Sequence, residues 1–157
     1  MKVHAVEPDV DADALLAGAQ FSDAFRIVVD DKALDARGAA ERMVARGPWW
    51  IEALLTLRNR LVAPLGLKTP VPTGTSSANA IGIFPVISET PARLVAGLND
   101  KHLDFRLVVD VVTSGRSQRI TATTLVLTHN LFGRTYLSII LPFHRLIART
   151  MMRQIAG

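Results

Sequence analysis

Apolar residues recur with two different periods along the chain, and the period changes near residue 79. Before that point they mostly recur every three or four residues, which is typical of helices. After it they alternate with polar residues, which is typical of half-buried strands. The pattern therefore predicts helices in the first half and an antiparallel sheet in the second.

The first half predicts a helical turn, a strand and two helices, in that order. Asp11 and Asp13 are both placed to cap the turn, and residues 24–29 are short and β-branched, as strands are. Asp35 is placed to cap a helix that extends to about Ala45. A second helix begins at Pro48, and its apolar residues recur at spacings of three and four. They are Trp50, Ile51, Ala53, Leu54, Leu55, Leu57, Leu61 and Val62.

The second half predicts a loop at residues 67–77 and then five strands joined by short turns. Proline and glycine punctuate the loop, and nothing in it is periodic. The predicted strands are 80–88, 93–98, 102–112, 120–129 and 134–141, with turns at 89–91, 114–116 and 130–133. In the longest strand the odd-numbered residues 103–111 are apolar, so we expect that face to be buried and the opposite face to be wet.

A final helix is predicted to begin at Pro142. Its expected inner arc contains Phe143, His144, Ile147, Ala148, Thr150, Met151 and Gln154, flanked by Leu146 and Ile155. Arginines occupy the opposite side, at positions 145, 149 and 153. Five or six apolar side chains would be buried, and each would contribute about 1.5 to 3 kcal/mol to stability before the loss of conformational entropy is counted. We therefore expect this helix to dock on the sheet.

Several short motifs resemble an uncharacterised bacterial family, a domain of unknown function, that is placed in the helix-grip superfamily. The motifs are Gly47-Pro48-Trp49-Trp50, Leu57-Arg58-Asn59, Leu65-Gly66-Leu67-Lys68, Lys101-His102-Leu103-Asp104-Phe105-Arg106, His129-Asn130, Gly133-Arg134, Tyr136 and Pro142-Phe143-His144-Arg145. The resemblance implies an α+β helix-grip fold, in which a curved antiparallel sheet wraps a long C-terminal helix over an apolar cavity. It implies one domain over residues 1–157, with 1–20 as an N-terminal extension, and no activity.

Composition removes several classes of chemistry. The chain has no cysteine, so it has no disulfide, thiolate nucleophile or Cys-ligated zinc. It also lacks HExxH, GxSxG, GxGxxG and phosphate-loop motifs, and its four histidines have no metal-site spacing. We therefore expect no metal and no cofactor.

The charge distribution bears on partners. Residues 1–130 hold 14 basic and 14 acidic side chains, while residues 131–157 hold four arginines and no acid. A solvated helix face is the favoured interpretation, because exposed bulky apolar residues beside the charge are expected only at Met152. Nucleic-acid binding and stable membrane insertion are not expected, and the first residues lack a secretion signal, so we expect a cytoplasmic protein.

Two inward polar residues stand out as candidates for chemistry. His144 must find a partner, either a backbone carbonyl, Tyr136 or a ligand. Arg58 lies in the apolar arc of the second helix, where it either reaches solvent, meets a carboxylate or holds an acidic ligand. His102 and Asp104 share the wet face of a strand and are interpreted as a solvated surface pair rather than an acid–base dyad.

Three hypotheses follow. The leading one is a non-catalytic module that binds a mainly apolar small molecule in an internal cavity. The second is an enzyme of the cyclase or dehydratase kind, in which His144 or Tyr136 moves a proton and Arg58 holds an anionic oxygen. The third is an interaction protein, such as a homodimer, that uses the arginine face. The expected ligand-binding residues are Trp50, Arg58, Phe105, Tyr136, Phe143, His144, Ile147 and Met151.

Overall fold

The computed structural model describes residues 2–45, 80–81, 84–99 and 103–156. The predicted second helix, the 67–77 loop, Trp50, Arg58 and His102 lie outside these ranges. The elements are β1 (His4–Val6), α1 (Ala12–Leu15), β2 (Phe21–Asp30), α2 (Ala36–Ala45), β3 (Ala80–Ile81), β4 (Phe84–Glu89), β5 (Arg93–Asn99), β6 (Leu103–Ser114), β7 (Ser117–Thr128) and α3 (Leu131–Ala156).

The described strands form one antiparallel sheet in the order β1-β2-β7-β6-β5-β4-β3. Strands β4 to β7 form a meander, and β2 from the N-terminal part completes the sheet beside β7. With three described helices, the architecture is α+β, as the sequence predicts. The strand order places the N-terminal strands next to the segment that leads into α3.

Local signals account for most turns and caps. The Asp35 carboxylate accepts a hydrogen bond from the Gly38 amide (2.7 Å) at the start of α2, and Asp11 caps α1 in the same way. Gly115 has a φ of 61° in the two-residue turn between β6 and β7, a conformation that favours glycine. These predicted turns and caps are confirmed.

The predictions of a turn at 130–133 and a strand at 134–141 are wrong, because α3 begins at Leu131 and contains those residues. Asn130 caps this helix: its side-chain oxygen accepts a hydrogen bond from the Gly133 amide at 2.9 Å. Pro142 therefore lies inside the helix rather than at its start. Its missing amide leaves the Ser138 carbonyl without a helical donor, but both residues are exposed and water can replace that bond.

The core lies between one face of the sheet, called here the inner face, and the helices. The fully buried inner-face side chains include Ile27, Leu94, Val109 and Ile120. Met152 and Ile155 of α3 pack on them at 0% exposure, together with alanines of α2. The Arg42 guanidinium donates a hydrogen bond to the Ile155 carbonyl (3.2 Å) and ties α2 to the end of α3.

The buried arc of α3 differs from the predicted arc. Met152, expected to be exposed, is fully buried, whereas Phe143 and Leu146 are 49% and 52% exposed. Apolar residues occur around most of the helix circumference, so hydrophobic spacing alone leaves its rotation undetermined. Contacts with β2 and α2 select the arc that contains Ala148, Met152 and Ile155.

The opposite, outer face of the sheet is only partly exposed to solvent. Val95, Val108 and Leu125 point to this face and are buried. Polar pairs lie beside them, among them the ion pair of Arg93 with Asp110, whose Nε and Oδ1 atoms are 2.6 Å apart. The outer face therefore combines buried apolar side chains with paired charged ones.

Candidate functional site

The inner face has a tightly packed end and a more open end. Toward the packed end, α2 and the last turns of α3 cover the sheet. Toward the other end, inner-face side chains on β2, β5 and β6 are only half-buried. They are Phe21, Leu98, Leu103, Phe105 and Leu107. This end of the inner face is apolar and less fully covered than the packed end.

A single carboxylate lies within that apolar surface. Asp23 follows Phe21 by two residues on β2 and therefore points to the same face. Its cross-strand neighbours on the inner face are Thr124 on β7 and then Leu107 on β6. An acid in such a row requires a polar partner, because burial of an unpaired charge is costly.

His144 of α3 supplies that partner. Its Nε2 lies 3.3 Å from Oδ1 and 3.2 Å from Oδ2 of Asp23, and both side chains are about four-fifths buried. The Phe21 ring and the imidazole are packed in a T-shaped arrangement, with ring centroids 6.2 Å apart and planes at 84°. Oδ2 of Asp23 is buried and receives no well-aligned hydrogen bond from the described residues, so this oxygen retains the capacity to accept one more.

Phe105 and Phe84 form the second aromatic feature of the open end. Their ring centroids are 4.9 Å apart, with the rings tilted by 31°. Phe84 also packs against the core. The pair therefore forms an aromatic wall on the β4–β6 side, across the sheet from Asp23 and His144.

A groove of about 380 Å³ lies next to the Asp23–His144 pair, between α3 and the β1–β2 edge. Its lining includes Arg145 and Arg149 on α3, and Glu7 and Asp23 opposite them. The Arg149 guanidinium lies 5.2 Å from the centroid of the Phe25 ring, an arrangement of cation–π type. Charges of both signs meet in this groove.

A second His–Asp pair lies on the other side of the sheet. His129 Nε2 is 3.1 Å from Oδ1 of Asp104, and the Asp104 side chain is 16% exposed. The predicted partner of Asp104, His102, lies outside the described residues. This pair joins the end of β7 to β6 and stabilises the outer face.

Two other charged pairs lie away from the open end and connect elements of the fold. The hydrogen bond to Asp110 raises the pKa of Arg93, with burial acting in the opposite direction. Arg37 of α2 donates to Glu89 of β4 (Nε to Oε2, 2.8 Å), and this hydrogen bond lowers the pKa of Glu89. The second pair holds α2 against the end of the meander.

The structure brings together only some of the residues predicted from sequence. His144, Ile147 and Met151 are half-buried on α3, and Phe105 lies on the inner face. Tyr136 is half-buried on α3, eight residues before His144, which is about 12 Å along the helix axis. Phe143 is half-exposed. Trp50 and Arg58 are outside the described residues.

Asp23 is the residue that sequence reasoning missed. A signal for it was present, because Phe21, Asp23, Phe25, Ile27 and Val29 alternate along one strand. The predicted strand began at residue 24, so the acid was placed outside the alternation. The other half of the signal, His144, is 121 residues away in the chain.

No three His, Asp or Glu side chains in the described part of the chain lie close enough together to hold a metal ion. Across the same residues, no helix is both long and apolar enough to cross a bilayer.

Comparisons with known proteins give a family and no activity. A search of the curated proteins finds no match to this chain. Among solved structures, a conserved protein from Geobacillus kaustophilus is similar over 87% of this chain and 93% of its own, with 11% sequence identity and a TM-score of 0.44. A family profile described as "Protein of unknown function (DUF2867)" matches residues 15–151. The chain therefore belongs to the DUF2867 family of proteins of unknown function.

Proposed function

We propose that this protein is a non-catalytic binding module of the helix-grip type, which holds a mainly apolar small molecule between the open end of its sheet and α3. The helix-grip assignment is supported by an antiparallel sheet with a long C-terminal helix packed on its inner face. The protein is proposed to work in the cytoplasm.

The observation that carries this proposal is the Asp23–His144 pair set among half-buried apolar side chains. Ligand sites for small molecules are mostly apolar and contain a few polar groups that fix orientation. Phe21, Phe105 and Leu107 supply the apolar surface, and Asp23 supplies the polar group. This is the composition expected of a site that binds a mainly apolar molecule in one orientation.

The pair also limits the chemistry of the ligand. Because Oδ2 of Asp23 can accept a further hydrogen bond, the ligand should carry a donor such as a hydroxyl, an amide or an amine. His144 holds the carboxylate in place from the helix side. Ile147 and Met151 extend the helix wall of the site, and Tyr136 is assigned to its rim. Phe143, expected in the site from sequence, is half-exposed on the outward side of α3. Trp50 and Arg58 are assigned to the site on sequence grounds alone.

Native mass spectrometry tests the proposal directly. Full-length protein purified from its host is expected to carry an extractable organic molecule at stoichiometric amount. Fluorescence of anilinonaphthalene sulfonate should report the same apolar surface after the molecule is extracted. Protein that carries no molecule and does not bind this probe in its folded state would contradict the proposal.

A bulky substitution locates the site. Leu107→Trp, on the inner face of β6, should abolish both the bound mass and the probe fluorescence, because the indole occupies the apolar surface. Val112 lies on the same strand, points to the outer face and is 50% exposed in the wild type. Val112→Trp is therefore the matched control. Asp23→Asn keeps the side-chain volume and should weaken binding without filling the site. Equal binding by all three variants would place the ligand elsewhere.

The same pair favours one catalytic alternative, a cyclase or dehydratase. A histidine and an aspartate within hydrogen-bond reach form an acid–base unit, with His144 as the proton-transfer group. Asp23 takes the role first considered for Tyr136, since Tyr136 lies about 12 Å away along the helix axis. Arg58 remains the proposed anion holder. Protein with His144→Gln should then retain an unconverted molecule, whereas the wild type retains one that has lost water or closed a ring.

A further inference from the structure

The outward side of α3 carries an apolar stripe. Ile139, Phe143 and Leu146 follow one another at spacings of four and three, so they lie on one side of the helix. Their exposed fractions are 65%, 49% and 52%. Three large apolar side chains in a row at this exposure are unlike the scattered apolar residues of an ordinary surface. We call these three residues the α3 stripe.

Arginines lie on the side of α3 between the stripe and the groove against β1 and β2, where Arg145 and Arg149 line the groove and Arg149 lies over the Phe25 ring. Arg145, Arg149 and Arg153 repeat every four residues on α3, and the helix contains no acidic residue. In the described part of the chain no carboxylate lies within 4.0 Å of their guanidinium nitrogens. Glu7 shares the groove with Arg145 and Arg149 but forms no ion pair with either. This side of α3 thus carries three arginines that form no ion pair with the described residues.

We propose that the α3 stripe docks on the surface of an anionic lipid bilayer. A helix with bulky apolar residues beside a basic flank places the apolar groups at the boundary between headgroups and acyl chains, and the arginines among lipid phosphates. The docking is peripheral and leaves the sheet and the inner site in place. Met152, the residue first expected to provide such contact, is buried in the core.

Charge favours a bilayer over a second copy of the chain. A two-fold pair of α3 helices would bring the arginines of both copies to one interface, with no acid on either helix to neutralise them. An anionic bilayer supplies the opposite charge along the whole flank. This inference does not rest on a ligand at the inner site.

Vesicle flotation of the full-length protein tests the docking. The protein should float with vesicles of phosphatidylcholine and phosphatidylglycerol at low salt, and stay in solution with phosphatidylcholine alone or at high salt. The triple variant Ile139→Ser/Phe143→Ser/Leu146→Ser should lose flotation. The control Val28→Ser/Ile87→Ser/Val112→Ser changes three side chains that are 47% to 54% exposed on strands and should float as the wild type does.

A charge variant tests the docking independently if the triple variant fails to fold. Arg145→Gln/Arg153→Gln should lower vesicle partitioning by about tenfold or more, because each basic side chain near an anionic surface contributes about a factor of five. Arg116→Gln/Arg119→Gln, exposed at the β6–β7 turn, is the matched control. Unchanged partitioning of the first pair would overturn the proposal. So would light scattering that shows a wild-type dimer, without vesicle binding, which the stripe variant converts to a monomer.

Discussion

Nε2 of His144 on the C-terminal helix lies 3.2 Å from a carboxylate oxygen of Asp23 on the second strand, and the two residues are 121 positions apart. The pair is mostly buried and edged by an aromatic ring, so it fixes the helix to the sheet at the open end. The same contact that holds the helix also provides the polar group of the proposed site. Stability and binding are therefore expected to be coupled here.

That coupling can be measured with a double-mutant cycle. Asp23→Asn and His144→Gln should each lower the free energy of unfolding by about 1.5 to 3 kcal/mol, the range for a hydrogen bond that involves a charged group. The double variant should lose less than the sum, because the two changes remove one interaction. Urea unfolding followed by circular dichroism measures all four proteins. Strict additivity would show that the pair contributes no interaction energy.

The rotation of α3 is tested by two truncations on opposite sides of the helix. Met152→Ala should cost about 2 to 5 kcal/mol, since it opens a cavity among fully buried neighbours. Leu146→Ala, at a side chain that is 52% exposed, should stay within about 0.5 kcal/mol. Chemical denaturation of both variants provides the comparison. A reversed order would mean that the arc predicted from sequence is the buried one.

Substitution of Pro142 distinguishes a helix that is continuous through this residue from a helix that begins at it. Inside a helix proline costs about 3 kcal/mol relative to alanine, so Pro142→Ala should raise the free energy of unfolding, by roughly 1 to 3 kcal/mol. At a first helical position the same change would be neutral or slightly destabilising. The companion variant Asn130→Ala should cost about 1 kcal/mol through loss of the cap, and Asn130→Ser should recover most of it.

The ion pair between Arg37 and Glu89 predicts a stability change in acid. The hydrogen bond from Arg37 lowers the pKa of Glu89 from its ordinary value of 4.5. A carboxylate with a lowered pKa contributes stability that is present above the ordinary value and is lost as the pH falls through the lowered one. Glu89→Gln should therefore destabilise the protein near neutral pH, and its difference from the wild type should shrink below about pH 4. Thermal unfolding across this range measures it. A difference that is constant with pH would contradict the assignment.

Much of the sheet was predictable because its signals are local. Alternation identified β5, β6 and β7, β-branched composition identified most of β2, and the glycine turn between β6 and β7 follows from its backbone requirement alone. The cap at Asp35 needs only the three residues that follow it. The short strand β1 carries too few residues to show a period, and it forms because β2 offers an edge on which to pair.

The helix at the C-terminus shows where local signals fail. Residues 134–141 contain Thr, Tyr and Ile, which favour strands, and the proline that follows is typical of a helix start. A long helix forms because Asn130 caps it and its far end packs into the core. The burial outweighs the strand preference of residues 134–141 and the preference of Pro142 for a helix start.

By itself the amino-acid sequence determined the α+β class, the strands β5 to β7, the turn between β6 and β7 and the positive charge of the last segment, since each depends on residues close together in the chain. Tertiary structure decided which arc of α3 is buried, which apolar side chains remain exposed beside the arginines, and that Asp23 meets His144. Those outcomes depend on packing between segments more than a hundred residues apart, which no local period encodes.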